Sequence, residues 1–194
     1  MRYGSDIELI SLYGNWFEPW SRFSTDLETS TKTTRVFCSG TTLRWTELAS
    51  YVKTNEFTKS GFMGTFPACR VRLPTKKRQY SFITNIDHCL RKGKHWNGWY
   101  VDDDTIYFFD SFGRGVLDLN FPHYYRDIVL QFKNVKCFEQ QLQPFNSKTC
   151  GLYCIHFILN FSVGWGFKTF KSDYTLHNTK RNDEIVVEII ESLI

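Results

Sequence analysis

An α+β fold, with helices flanking a central mixed or antiparallel sheet, is predicted by three stretches of this 194-residue chain. Between His95 and Asp110, two β-rich runs, Gly98-Trp99-Tyr100-Val101 and Thr105-Ile106-Tyr107-Phe108-Phe109, flank the acidic turn Asp102-Asp103-Asp104 and read as a hairpin. Residues 152–161 (LYCIHFILNF) hold almost no polar residue and neither Gly nor Pro, which marks a buried helix. Residues 183–194 (DEIVVEIIESLI) open on acids and set Ile185, Ile189 and Leu193 one helical turn apart with Val186 beside them, an amphipathic helix.

The remaining elements follow in order. Residues 21–34 (SRFSTDLETSTKTT) are rich in Ser and Thr and predict a surface loop or linker. Residues 42–53 carry Leu43, Leu48, Tyr51 and Val52 at helical spacing. Residues 80–86 (YSFITNI) form a β-rich run leading into the hairpin, and residues 121–131 suggest a helix after Pro122. No internal repeat is present. The length suits one domain over 1–194 with a real core, supplied by 18% aromatic residues.

Chemistry concentrates where a polar loop meets the apolar helix, in Gln143-Pro144-Phe145-Asn146-Ser147-Lys148-Thr149-Cys150-Gly151-Leu152-Tyr153-Cys154. Asn146 and Ser147 supply turn and cap chemistry. Cys150 then falls in the first helical turn, where unpaired N–H groups and the positive end of the macrodipole favour a negative charge. A lone cysteine at a helix start is most often one more small buried residue. His95 and Asp110 change that balance: one begins the first strand of the hairpin, the other ends the second, so the two meet. A carboxylate on one imidazole nitrogen leaves the other free to take a thiol proton.

Taken together, these motifs resemble the adenovirus-type cysteine proteases, the maturation enzymes of adenoviruses and of related viruses and virus-like transposons, in the clan of the ubiquitin-like-protein-specific proteases. The matching residues are His95-Trp96, Phe109-Asp110-Ser111-Phe112-Gly113, the block Gln143-Pro144-x-Asn146-Ser147-x-x-Cys150-Gly151-Leu152-Tyr153-Cys154, and Phe62-Met63-Gly64-Thr65-Phe66. The resemblance implies a fold with the catalytic Cys at the N-terminus of a buried helix. It makes Cys150 the nucleophile, His95 the base and then acid, Asp110 the orienting carboxylate and Gln143 an oxyanion donor. It divides the chain into an N-terminal region 1–56, a catalytic core 57–161 and a C-terminal extension 162–194 with a helix. Asp110 departs from the Glu of the adenoviral enzymes and agrees with the ubiquitin-like-protein proteases.

The same resemblance implies virion precursor proteins as polypeptide substrates, a monomer, and a setting in the host nucleus or cytoplasm with packaging in the virion. It also implies two activating partners: DNA, bound without sequence preference, and a short viral peptide coupled to a thiol, for which Cys137 is the nearest candidate. Arg70, Arg72, Lys76, Lys77, Arg78, Arg91, Lys92 and Lys94 concentrate positive charge before His95 in a chain of net charge +4, which suits phosphate contact and equally a solvated face. Other functions stay open at this point. They are deconjugation of a ubiquitin-like modifier, acyl transfer with the same triad, and a retired binding module.

The other histidines and cysteines carry plainer expectations. His88, beside Asp87, is a loop or strand residue and a distant rival base; His156 is a core histidine; His123 and His177 are given no role. Zinc on Cys150, Cys154 and His156 is set aside, since Cys38, Cys69, Cys89 and Cys137 lack paired spacing, and no metal is expected. Six scattered cysteines fit a reducing, intracellular compartment. The start MRYGSDIELISLYGNW lacks the pattern of a secretory signal, and no apolar stretch reaches spanning length, so no membrane partner is expected.

Overall fold

The computed structural model describes Ser50, Val52 and residues 61–75, 78–88 and 93–193, all within the unit Phe37–Ile194. The expected loop at 21–34, most of the expected helix at 42–53, and Lys76, Lys77, Cys89, Arg91 and Lys92 lie outside the described residues. Ser50 and Val52 are helical, and Val52 is fully buried. Arg70, Arg72, Arg78 and Lys94 of the basic stretch are exposed.

The fold is α+β. Five strands form one mixed sheet in sequence order: β1 Phe62–Pro67, β2 Gln79–Asn85, β3 Trp96–Asp102, β4 Thr105–Phe109 and β5 Asn134–Cys137. β2, β3 and β4 run antiparallel to one another, while β1 lies parallel to β2 and β5 parallel to β4. The helices are α1 Tyr124–Val129, α2 Cys150–Ser162, α3 Phe167–Ser172 and α4 Thr179–Glu191. Among the described residues no helix is long and apolar enough to cross a membrane.

Strand alternation sends adjacent aromatics to opposite faces, so the sheet has a core on each side. Phe82, Trp99, Val101, Ile106 and Phe108 pack with Phe121, Tyr125 and Ile128 beside α1. Ile83 and Phe109 face the other way, toward Phe157 and Ile158 of α2, Phe170 of α3 and Val186 and Ile190 of α4. Helix α2 is buried almost all round, which is why its sequence lacks a polar face. Gly98 lets it come close: a Cβ there would lie 2.7 Å from Phe157 Cδ1. Phe157 is fully buried, and its truncation to Ala costs about 3–5 kcal/mol.

The C-terminal helix departs from expectation. It begins at Thr179 rather than Asp183, capped by Asn178, whose side chain accepts the Arg181 backbone N–H. Its buried stripe is Asn182, Val186 and Ile190, whereas Ile185 and Ile189 are half-buried and Leu193 is exposed. A polar member hides the stripe. Asn182 Oδ1 accepts from the Thr175 N–H at 2.7 Å, and Asn182 Nδ2 donates to the carbonyls of Thr175 at 2.9 Å and Leu142 at 3.3 Å. The helix thus spends a core position on joining two loops.

Candidate active site

The hairpin register builds one half of the site. Asp103, with φ 49°, and Asp104 close the turn, and Asp102 pairs with Thr105. The same register sets Gly98 against Phe109, and one step further it brings Asn97 beside Asp110. His95 directly precedes β3, and its Nε2 hydrogen-bonds Asp110 Oδ1. The imidazole stacks on Phe112 with centroids 4.6 Å apart.

Asp110 is completely buried and surrounded by donors. Asn97 Nδ2 reaches Oδ1 at 3.1 Å; Arg114 Nε reaches Oδ2 at 2.7 Å, and the Arg114 backbone N–H reaches the same oxygen at 3.3 Å. The Arg114 guanidinium is itself held between rings, 4.6 Å from the centroid of Phe121 and 5.2 Å from that of Phe112. Burial works to raise the Asp110 pKa, but hydrogen bonds from His95 and Arg114 outweigh it and hold the carboxyl below its ordinary 3.8. For His95, burial opposes the charged ring; the hydrogen bonds to Asp110 and Cys150 prevail and raise it to about 9. Since Asp110 occupies Nε2, Nδ1 is the ring nitrogen left for the thiol.

The second half comes from a loop and α2. Cys150 is the first residue of the helix and is buried, with Thr149 as N-cap. The expected capping by Asn146 or Ser147 does not occur, and among the described residues no side chain caps this helix. Ser147 Oγ instead meets Thr149 Oγ1 at 2.7 Å, and Thr149 Oγ1 donates to Asp183 Oδ1 of α4 at 2.7 Å. The Thr149 carbonyl accepts from the backbone N–H groups of Leu152 at 2.8 Å and Tyr153 at 3.3 Å, which leaves the Cys150 and Gly151 N–H groups as the ones without an intrahelical acceptor.

Gln143 is fully buried. Ser111 Oγ donates to its Oε1 at 2.6 Å, which fixes the amide with Nε2 on the opposite side, and that buried NH₂ has no partner among the described residues. The Ser111 carbonyl accepts from the backbone N–H groups of Leu142 at 2.9 Å and Gln143 at 3.0 Å. Gly113 follows at φ 73°, where a Cβ would lie 2.6 Å from the backbone of Gln140 and Gln141. The residue after the carboxylate therefore holds the loop that carries Gln143. A thiol beside an imidazole that is itself hydrogen-bonded to a carboxylate can pass its proton from sulfur to nitrogen.

The structure joins His95, Asp110 and Cys150 and ties Gln143 to the same turn, but it places Cys137 elsewhere. Cys137 ends β5 opposite Phe108 and packs, half-buried, against the α1-side core, where burial pushes its thiol pKa up. His88 is exposed. His156 is buried on α2 with Nδ1 2.6 Å from the Tyr174 hydroxyl, and burial lowers its pKa to about 4. Arg114 and Asn97 escaped the sequence reading, and Ser111 entered it only as a member of the segment Phe109 to Gly113, without a role. Counting residues back through the two-residue turn would have found Asn97; nothing in the sequence singles out Arg114.

The sequence matches no protein-family model and no curated relative. Solved structures with a similar course include the ASFV pS273R protease, with TM-score 0.43 and 20% identity over 60% of this chain and 44% of that one. ChlaDub1 from Chlamydia trachomatis aligns with TM-score 0.41 and 11% identity over 61% of this chain and 60% of that one. The SUMO protease Ulp1 aligns with TM-score 0.31 and 19% identity over 59% and 54%. This chain thus spans less than two thirds of the length of each. At such TM-scores and identities, the likenesses leave the chemistry of this chain to its own site.

Proposed function

We propose that the protein is a cysteine endopeptidase of the adenovirus type. The observation that carries the reading is the buried hydrogen bond between Asp110 and His95, with the Cys150 thiol near enough to the ring to help raise its pKa to about 9. With the proton already resting on His95, whose pKa is raised to about 9, Cys150 Sγ attacks the scissile carbonyl carbon as the thiolate of an ion pair. The oxyanion that forms is met by the unpartnered Gln143 Nε2 and the Cys150 backbone N–H at the helix start. Collapse of this intermediate breaks the C–N bond, and His95 gives its proton to the leaving amine. Water, deprotonated by His95, then attacks the thioester; the acid leaves and the thiol is restored.

Virion precursor proteins are the substrate class favoured by the four motifs His95-Trp96, Asp110 to Gly113, Gln143 to Cys154 and Phe62 to Phe66. The test incubates the protein, and its Cys150→Ala variant, with a Gly-rich peptide library and with a ubiquitin-like precursor, read by mass spectrometry. Hydrolysis of library peptides by the wild type alone is expected. Turnover retained in Cys150→Ala would overturn the assignment, while cleavage confined to the ubiquitin-like precursor would replace the substrate and keep the chemistry.

A further inference from the structure

A run of buried polar side chains leads away from Asp110 into the α1-side core. Trp99 Nε1 lies 2.8 Å from Thr84 Oγ1, Thr84 Oγ1 lies 2.7 Å from the Tyr125 hydroxyl, and that hydroxyl lies 2.8 Å from Asn97 Oδ1. Asn97 Nδ2 then donates to Asp110 Oδ1 at 3.1 Å. Trp99, Thr84, Tyr125, Asn97 and Asp110 are each fully buried. The register makes the run possible: on one face of the sheet Thr84 sits directly opposite Asn97 and Phe82 opposite Trp99, and α1 lowers Tyr125 into the gap.

The direction of this run is set by the carboxylate and agrees with its far end. An ionised carboxylate only accepts, so Asn97 gives it the NH₂ and turns Oδ1 to Tyr125, whose single hydrogen then goes to that Oδ1. The Tyr125 oxygen is left to accept from Thr84, whose own oxygen accepts from the Trp99 indole; burial raises the Tyr125 pKa, so the phenol keeps its proton. With Oδ1 engaged, Asn97 has only its NH₂ to offer Asp110. We infer that Thr84, Tyr125 and Asn97, started by the Trp99 indole, are positioning residues that hold Asp110 as a pure hydrogen-bond acceptor for His95. The inference rests on the proposed Cys150, His95 and Asp110 chemistry. Arg114 and His95 are the charged groups that face the same carboxylate. Arg114 neutralises it from the rim, and the buried run fixes its orientation from within. Were the run broken, the Asn97 amide would be free to turn Oδ1 toward Asp110, and two acceptors would then oppose each other.

The test is the rate of Cys150 alkylation by iodoacetamide as a function of pH, read by mass spectrometry of the peptide that contains Cys150. It compares the full chain with Thr84→Val, Thr84→Ser and Tyr125→Phe, each checked by thermal melting. In the wild type the upper transition of the profile reports loss of the His95 proton, expected near pH 9. Thr84→Val and Tyr125→Phe should move that transition down by about half a unit or more, because a less well held carboxylate supports the imidazolium less. Thr84→Ser keeps the hydroxyl and should restore the wild-type value. If both hydroxyl-free variants melt earlier but keep the wild-type transition, the run is structural only and the inference is overturned. A wild-type profile with a single free-thiol transition would overturn the proposed chemistry, and this inference with it. Should Thr84→Val fail to fold, Tyr125→Phe alone decides between these outcomes.

Discussion

The two halves of the site are built by different means. His95 and Asp110 are fixed by the register of a β-hairpin, with Arg114 and Asn97 adding four further hydrogen bonds to the carboxylate. Cys150 and Gln143 sit on a helix start and a loop, which local bonds such as that from Gln141 Nε2 to the Gln143 carbonyl at 2.8 Å shape and which contacts with remote parts of the chain, Ser111, Asn182 and Asp183, hold in place. The comparison separates what each half is built to do. The hairpin half stabilises a charge at all times, whereas the loop half keeps its donors unpaired for a charge that exists only during reaction.

The largest effects should come from the hairpin half. His95→Ala is expected to remove nearly all peptide hydrolysis, as is Cys150→Ala, since His95 is the ring that Asp110 orients beside the thiol. The pH dependence sharpens this. His95 is raised from 6.5 to about 9 in the fold, so its stabilising contribution is full below pH 6.5 and is lost as pH rises through about 9. Asp110 is lowered from 3.8, so its contribution is full above that value and is lost as pH falls through its depressed pKa. Thermal melting from pH 4 to 10 should show a decline above neutrality that flattens in Asp110→Asn. An unchanged alkaline decline in that variant would detach His95 from the carboxylate.

Gln143→Ala comes next, with a loss of roughly 10²–10³ in turnover and little change in KM, the size of one oxyanion donor. Ser111→Ala should lose part of that amount, because the amide can then rotate and point Oε1 at the oxyanion. In a Gln143→Ala background the serine change should add almost nothing to the turnover loss. Steady-state kinetics on the two single variants and the double variant measures the coupling. Full additivity would show that Ser111 acts elsewhere.

The hairpin half was far more legible in sequence than its partner. Strand alternation and a two-residue turn are local rules, and they bring His95 to Asp110 without knowledge of anything distant. The apolar run announced α2, and Cys150 could be set at its start. What fixes the loop half is long-range: Asp183 and Asn182 lie more than thirty residues after Cys150, and no periodicity links them to it. The amphipathic reading of 183–194 chose Ile185, Ile189 and Leu193 for the same reason. Asn182 belongs to the buried stripe because of carbonyls supplied by other loops, which a pattern of apolar residues cannot show.

The smallest predicted effect tests whether the C-terminal helix serves the loop half at all. Asp183 Oδ1 accepts from Thr149 Oγ1 at 2.7 Å and from the Tyr153 hydroxyl at 3.0 Å, so it grips both the N-cap and the first turn of the helix that carries Cys150. In Asp183→Ala, Tyr153 keeps only a long bond of 3.4 Å to the Leu142 carbonyl, and Thr149 returns to Ser147 alone. Leaving a buried hydroxyl poorly paired costs about 1–3 kcal/mol, which in a domain of this size lowers Tm by about 2–4 °C per kcal/mol. Turnover should fall only a few-fold, because the hairpin half is untouched and the thiol still meets His95. Calorimetry and the alkylation rate of Cys150, measured together, read the two quantities. If Tm drops while alkylation stays at the wild-type rate, α4 stabilises the fold without positioning the nucleophile; a fall in both ties the far end of the chain to the chemistry.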